Sequence, residues 1–144
     1  MKARMVQIAE DYPTLVNYWE GHGWPAIPEK FLPKTGVAIV DESDAILAAG
    51  FAYLDNSSCV AWMDWVVTNP RNRPTVSLVA LGHLFEAIKE AIAALNDGQH
   101  GYGPLITACR QPSLVRLYEK HGFTVSDRDV THLMLVLPQP EVIS

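Results

Sequence analysis

The sequence is poor in cysteine and in positive charge, and it has no long apolar run. Cys59 and Cys109 are the only cysteines among 144 residues, and neither sits in a CxxC or zinc-ligand spacing. That argues against a disulfide framework and against a metal site. Both lie in apolar, strand-like surroundings and are expected to be buried free thiols. Eleven Lys and Arg are outweighed by sixteen Asp and Glu, for a net charge of -5. A nucleic-acid partner is disfavoured, because binding phosphate backbones calls for a basic surface. No stretch of 18 apolar residues occurs, so no membrane partner or span is expected. The opening MKARMVQIAEDY reaches acidic residues before any apolar core, so it does not read as a signal peptide. A cytoplasmic protein is expected.

What is present has the balance of one globular domain spanning residues 1–144. The chain is 49% hydrophobic and 19% charged, enough apolar material to bury about two-thirds of the unfolded surface. There is no internal repeat. Lys2–Ala9 reads as a strand and Asp11–Trp19 as a helix, followed by a proline- and glycine-rich stretch, GHGWPAIPEKFLPKTG, read as a loop or a broken second helix. Gly36–Val40, Ala45–Leu54 and Cys59–Thr68 read as three strands of an antiparallel meander joined by polar turns.

After NPRNRPT, apolar residues recur at Leu78, Leu81, Phe85, Ile88, Ile92 and Leu95, one stripe of a long helix ended by Asn96-Asp97-Gly98. A strand at Leu105–Cys109 follows. A short helix starts at Pro112, carries Tyr118 and stops at Gly122, where a left-handed residue would close it. Phe123–Val125 and His132–Leu137 read as two last strands. The expected fold is α/β, or α+β in the looser sense: a mixed, mostly antiparallel sheet of about seven strands with helices on both faces.

A strand, long helix, strand unit over Cys59–Cys109 implies a right-handed crossover and one parallel pairing. A ligand of such a unit sits where the first strand feeds the helix, here TNPRNRPTVS. The helix N-terminus offers unpaired N–H groups, and Arg71 and Arg73 add two positive charges. An anion such as a phosphate would be stabilised there; a solvated turn with two surface arginines is the plainer alternative. None of the five histidines makes a metal spacing, and His22, His83, His100, His121 and His132 read as surface or structural residues.

Two stretches carry a family resemblance. WVVTNPRNR is similar to the strand, proline and later arginine that precede the cofactor helix of the GNAT superfamily of N-acetyltransferases, with Pro70 and Arg73 in place. LITACRQPSLVRLYEKHGF resembles the strand and helix of that family that end in Tyr-Glu-Lys-x-Gly-Phe. The element order matches over nearly the whole chain. The resemblance implies a GNAT-type fold, acetyl-CoA as co-substrate and a small-molecule or peptide amine as acceptor.

It also implies roles. Tyr118 matches the tyrosine that protonates the departing thiolate. Asp64 stands where many members carry a general base. Val66, Val67 and Thr68 would present backbone groups to the pantetheine arm and the thioester carbonyl. Arg71, Arg73, Pro74, Thr75, Val76 and Ser77 would form the pyrophosphate loop, with Gln111 where an asparagine often contacts the cofactor. His22 and Trp24 lie in the segment that shapes the acceptor site. The sequence departs from the family at Val76 and Leu78, where glycines are usual, and at Pro74, which removes one N–H donor. A GNAT fold retained as a catalytically inactive binding or regulatory module is the alternative. Pairing of two copies through sheet edges or the last strands is a further expectation.

Overall fold

The computed structural model describes residues 1–97 and 101–140. The expectation for His100 and the helix-ending role of Gly98 lie outside the described residues. Five strands form one sheet in chain order: β1 (Lys2–Met5), β2 (Thr35–Val40), β3 (Ile46–Leu54), β4 (Ala61–Thr68) and β5 (Leu105–Ile106). Pairings β1–β2, β2–β3 and β3–β4 are antiparallel. The β4–β5 pairing is parallel, as the crossover requires.

Helix α1 (Ile8–Gly21) covers one face, and α2 (Pro74–Ala93) with α3 (Pro112–Lys120) covers the other. The proline-rich stretch after α1 condenses into a single 3-10 turn, Glu29–Phe31. The two faces build two separate cores. Leu15 and Trp19 of α1 meet Ala38, Val40, Ala49, Phe51 and Val67. Leu81, Leu84, Phe85, Ile88 and Ile92 of α2 meet Val37, Ile39, Ala48, Ala52 and Met63, with Tyr118 from α3. This division follows from strand alternation, which sends neighbouring residues to opposite faces. The α2 stripe is narrower than its sequence pattern, because Leu78 and Leu95 are exposed at its two ends. Among the described residues, no helix is long and apolar enough to cross a membrane.

Two expectations are corrected. The sheet has five strands among the described residues, not about seven. Phe123–Val125 and His132–Leu137 form none, although the latter has strand-like composition. A strand needs a neighbour, and β5 offers a ladder only two residues long. Phe123 instead packs its ring against Phe85 and Tyr118, while Leu133 to Leu137 stand 66–92% exposed. The cysteines are free, as expected, but Cys59 is exposed in a turn and Cys109 is only half-buried. Burial pushes the Cys109 thiol up from its ordinary value.

Candidate functional site

The site begins with a fault in the β3–β4 ladder. Ala49 pairs with Val67, but Phe51 pairs with Asp64. β3 advances two residues while β4 advances three, so β4 carries a bulge at Trp65 and Val66. Trp65 sits at φ 56°, a conformation that costs a bulky residue about 1–3 kcal/mol. Its own groups hold it there. Trp65 N–H donates to Asp64 Oδ1 at 2.8 Å, and its indole Nε1–H donates to the Tyr53 hydroxyl at 2.6 Å. Opposite the bulge, Gly50 leaves room for its neighbours. A Cβ there would lie 3.2 Å from Val66 and 3.3 Å from Leu84.

β4 and β5 then part. They pair only at Ala61–Leu105 and Trp62–Ile106, and β4 runs on to Thr68 paired with β3 but not with β5. The apex of the split is pinned by the Thr107 hydroxyl, which donates to the Met63 carbonyl at 3.0 Å. Tyr118 reaches the same point. Burial, the largest cause, pushes its phenol up to about 12, and the nearby Asp64 carboxylate adds to the rise. Its ring stacks on Phe85, centroids 4.3 Å apart at 17°. Gly122 closes α3 at φ 98°, as the sequence predicts, and fixes how far Tyr118 stands from the stop. Tyr118, Asp64 and the bulge therefore gather at the apex. Asp64 is exposed rather than enclosed by its tryptophan neighbours.

At the far end of β4, a tight turn leads to α2. Asn69 Oδ1 accepts from Arg71 N–H at 2.9 Å, and the Asn72 amide donates to the Leu47 carbonyl at 2.9 Å and to Ser77 Oγ at 3.2 Å. Asn72 therefore helps pin this turn to β3, together with the Asn69 N–H, which donates to the same carbonyl at 3.0 Å; Asn72 is not among the site residues expected from the sequence, and the recurrence of Asn in a Pro-containing turn is its signal. α2 starts at Pro74 with Arg73 as its N-cap, and no side chain caps it. The first-turn N–H groups of Thr75 and Val76 precede any carbonyl of the helix that could accept them. Arg71, Arg73, Pro74 and Thr75 are exposed around them, and the first turn holds no acid. Ser77 faces Asn72, which occupies its oxygen while leaving its O–H free to turn.

Beside this N-terminus a cavity of about 490 Å³ lies between α2 and α3, walled by Leu78, Val79, Gly82 and Leu117 with Lys120 and His121 at its rim. Leu78 and Val79 are about half exposed there. The rim is held by His121 Nδ1 against Glu86 at 3.0 Å and by Lys89, which donates to the His121 carbonyl at 2.9 Å. Gln111 is the exposed N-cap of α3, beyond the split.

On the other face, α1 delivers His22 to the end of β4. His22 Nε2 lies 2.8 Å from the Thr68 carbonyl, and its ring stacks on half-exposed Trp24 with centroids 4.6 Å apart. Gly21 permits this approach, because a Cβ there would lie 2.6 Å from Pro70 Cγ. Alanine would gain about 0.5–1 kcal/mol in helix preference, less than the 1–3 kcal/mol that overpacking costs. Gly21→Ala is therefore expected to destabilise the protein by about 1–2 kcal/mol. Denaturant unfolding checks this, and an unchanged midpoint would show that Pro70 yields freely. Among the described residues no cluster of His, Cys, Asp or Glu could hold a metal ion.

No protein-family model and no curated protein matches the sequence. Solved structures are similar in fold. A probable acetyltransferase shares 16% identity over 96% of this chain and 100% of its own, with a TM-score of 0.64. The ribosomal-protein-S18-alanine N-acetyltransferase from Escherichia coli shares 15% over 88% of this chain and 79% of its own, at 0.63. A GNAT superfamily phosphinothricin acetyltransferase from Sinorhizobium meliloti, solved in complex with AcCoA, shares 13% over 88% and 76%, at 0.61. The chain has the GNAT acetyltransferase fold.

Proposed function

We propose that this chain, on its GNAT fold, transfers an acetyl group from acetyl-CoA to a primary amine. The observation that carries the reading is the conjunction at β4: a bulge, a split from β5 with a buried tyrosine at its apex, and an uncapped helix N-terminus at its end. The pyrophosphate would rest on the N–H groups of Thr75 and Val76, with Arg71 and Arg73 over it. Val76 keeps its N–H although it lacks the closeness a glycine allows. Pro74 costs little at the first helical position, whose N–H is not needed by the helix. The exposed Leu78 and Val79 have a purpose in this reading: the cofactor would cover them in the α2–α3 cavity.

The acetyl group would lie against Val66, Val67 and Thr68. A neutral amine attacks the thioester carbon, a backbone N–H of the bulge stabilises the oxyanion, and the C–S bond breaks. Tyr118 gives its proton to the leaving sulfur and regains one from solvent, and Asp64 assists loss of the amine proton through water. His22 and Trp24 border the acceptor side.

Isothermal titration with acetyl-CoA tests the cofactor half, with ATP and desulfo-CoA as controls. Micromolar affinity is expected, weakened about 3- to 10-fold by Arg73→Ala and by added salt. No binding at millimolar acetyl-CoA would reject the reading and leave the fold as a scaffold.

A further inference from the structure

The face of β4 turned toward α1 is left partly bare. Ala61 and Met63 face α2, so Trp62 and Asp64 face the other way. α1 reaches that side only at the far end, where Trp19 meets Val67. Trp62 stays 48% exposed and Asp64 is exposed. Tyr53, the antiparallel partner of Trp62, and the bulge residue Trp65 lie alongside, joined by the hydroxyl–indole bond, and Ile106, the partner of Trp62 in the parallel pair, completes the patch. One carboxylate thus stands in an aromatic and aliphatic surface. Asp64 makes no ion pair among the described residues, and its one hydrogen bond is to the adjacent Trp65 N–H through Oδ1.

We propose that this patch is the acceptor subsite and that it selects a primary ammonium carried on a flat or branched apolar body. The inference rests on the acetyl-transfer reading and names its substrate class. Charge complementarity commits the occupant. An ammonium pairs with Asp64 and gains cation–π attraction from Trp62 or Trp65. An apolar body covers Trp62 and Ile106, burying surface that water now wets. An acceptor bearing its own carboxylate would meet Asp64 as a like charge, and a polyamine would bring only short methylene links between charges, with no apolar body to cover Trp62 and Ile106.

The patch adjoins the bulge, so an amine on Asp64 is next to the place where the thioester carbonyl would lie. The ammonium first releases one proton to water beside Asp64. The neutral nitrogen then forms the N–C bond as the C–S bond breaks. Its second proton is lost to solvent, and the thiolate takes one proton, giving an amide and CoA thiol.

Phenethylamine, spermidine and glutamate, compared by thiol release at fixed acetyl-CoA, test the proposal. Phenethylamine is expected to show at least a tenfold higher kcat/KM than the other two. Trp62→Ala and Trp62→Gln should each raise its KM about tenfold while leaving acetyl-CoA affinity within twofold. Asp64→Asn should raise the same KM. Titration of phenethylamine without acetyl-CoA gives a readout separate from turnover, with saturable binding expected in the parent and lost in both Trp62 variants. Preference for spermidine or glutamate, or phenethylamine binding indifferent to Trp62, overturns the proposal while acetyl-CoA binding leaves the acetyl-transfer reading standing. Failure of acetyl-CoA to bind overturns both.

Discussion

Tyr118→Phe is expected to lower kcat about 100-fold, the lower end of what a positioned acid contributes. Phenylalanine keeps the stack on Phe85 and the edge contact with Phe123, so the core under α3 is preserved. Thr107 keeps its bond to the Met63 carbonyl, so the apex of the split remains closed. Only the hydroxyl is removed. Acetyl-CoA affinity should stay within about twofold and Tm within a few degrees.

The phenol at about 12 is protonated throughout the neutral range, so no titration of Tyr118 should appear in the rate below pH 10. The same shift has a stability consequence. The unfolded tyrosine ionises near 10 and the folded one near 12, so the folded state holds the proton longer. Stability from the neutral phenol is present below pH 10 and is lost as pH climbs toward 12. The Phe variant should lack this part of the alkaline loss. Thiol release, acetyl-CoA titration and alkaline melts check the three statements, and full turnover in the variant would remove Tyr118 from the mechanism.

Much of the scaffold was legible because its signals are local. The meander strands are found within a few residues of their expected bounds, since polar turns at Asp41–Asp44 and Asp55–Ser58 punctuate alternating apolar runs. The α2 stripe and the Gly122 stop read directly from spacing and from glycine's freedom. The bulge did not. Nothing in AWMDWVV marks Trp65 for a positive φ, which is set by Tyr53, Gly50 and the ladder on β3. The clustering of Tyr118 with Thr107 likewise depends on where β5 stops. The last two expected strands do not form for the converse reason: THLMLVL has strand composition, yet composition supplies no partner. The exposure of Asp64 was hidden too, because its tryptophan neighbours enclose it in sequence but not in space.

Asp11→Ala should destabilise the protein by about 2–4 kcal/mol, lowering Tm by roughly 10 °C. Asp11 is 7% exposed and its carboxylate is fully used. Oδ2 accepts from Gln7 N–H at 2.7 Å and from Arg4 Nη1 at 2.8 Å, and Oδ1 accepts from Arg4 Nη2 at 3.0 Å. One residue therefore ties β1 to the first turn of α1. Removing it leaves a bare N–H at Gln7 and a guanidinium held only by Asp44 and the Met5 carbonyl. Arg4 keeps some contact with water, which places the cost below that of a fully buried pair.

The Arg4 hydrogen bonds, more than the Gln7 bond, hold the Asp11 carboxyl below its usual range, against the opposing effect of burial. Its contribution is then present above the unfolded carboxylate value near pH 4 and fades as pH falls through the folded one. Melts of the parent and Asp11→Asn should differ at pH 7 and converge toward pH 2. A gap that persists in acid would mean the amide fails by shape rather than by charge. The pair also bears on the site, because α1 carries Gly21 and His22 to Pro70 and Thr68 at its other end. Replacing both partners with leucine should recover much of the stability, since an apolar pair leaves no unpaired charge. If the stability recovers, the ion pair matters only as a tie between β1 and α1.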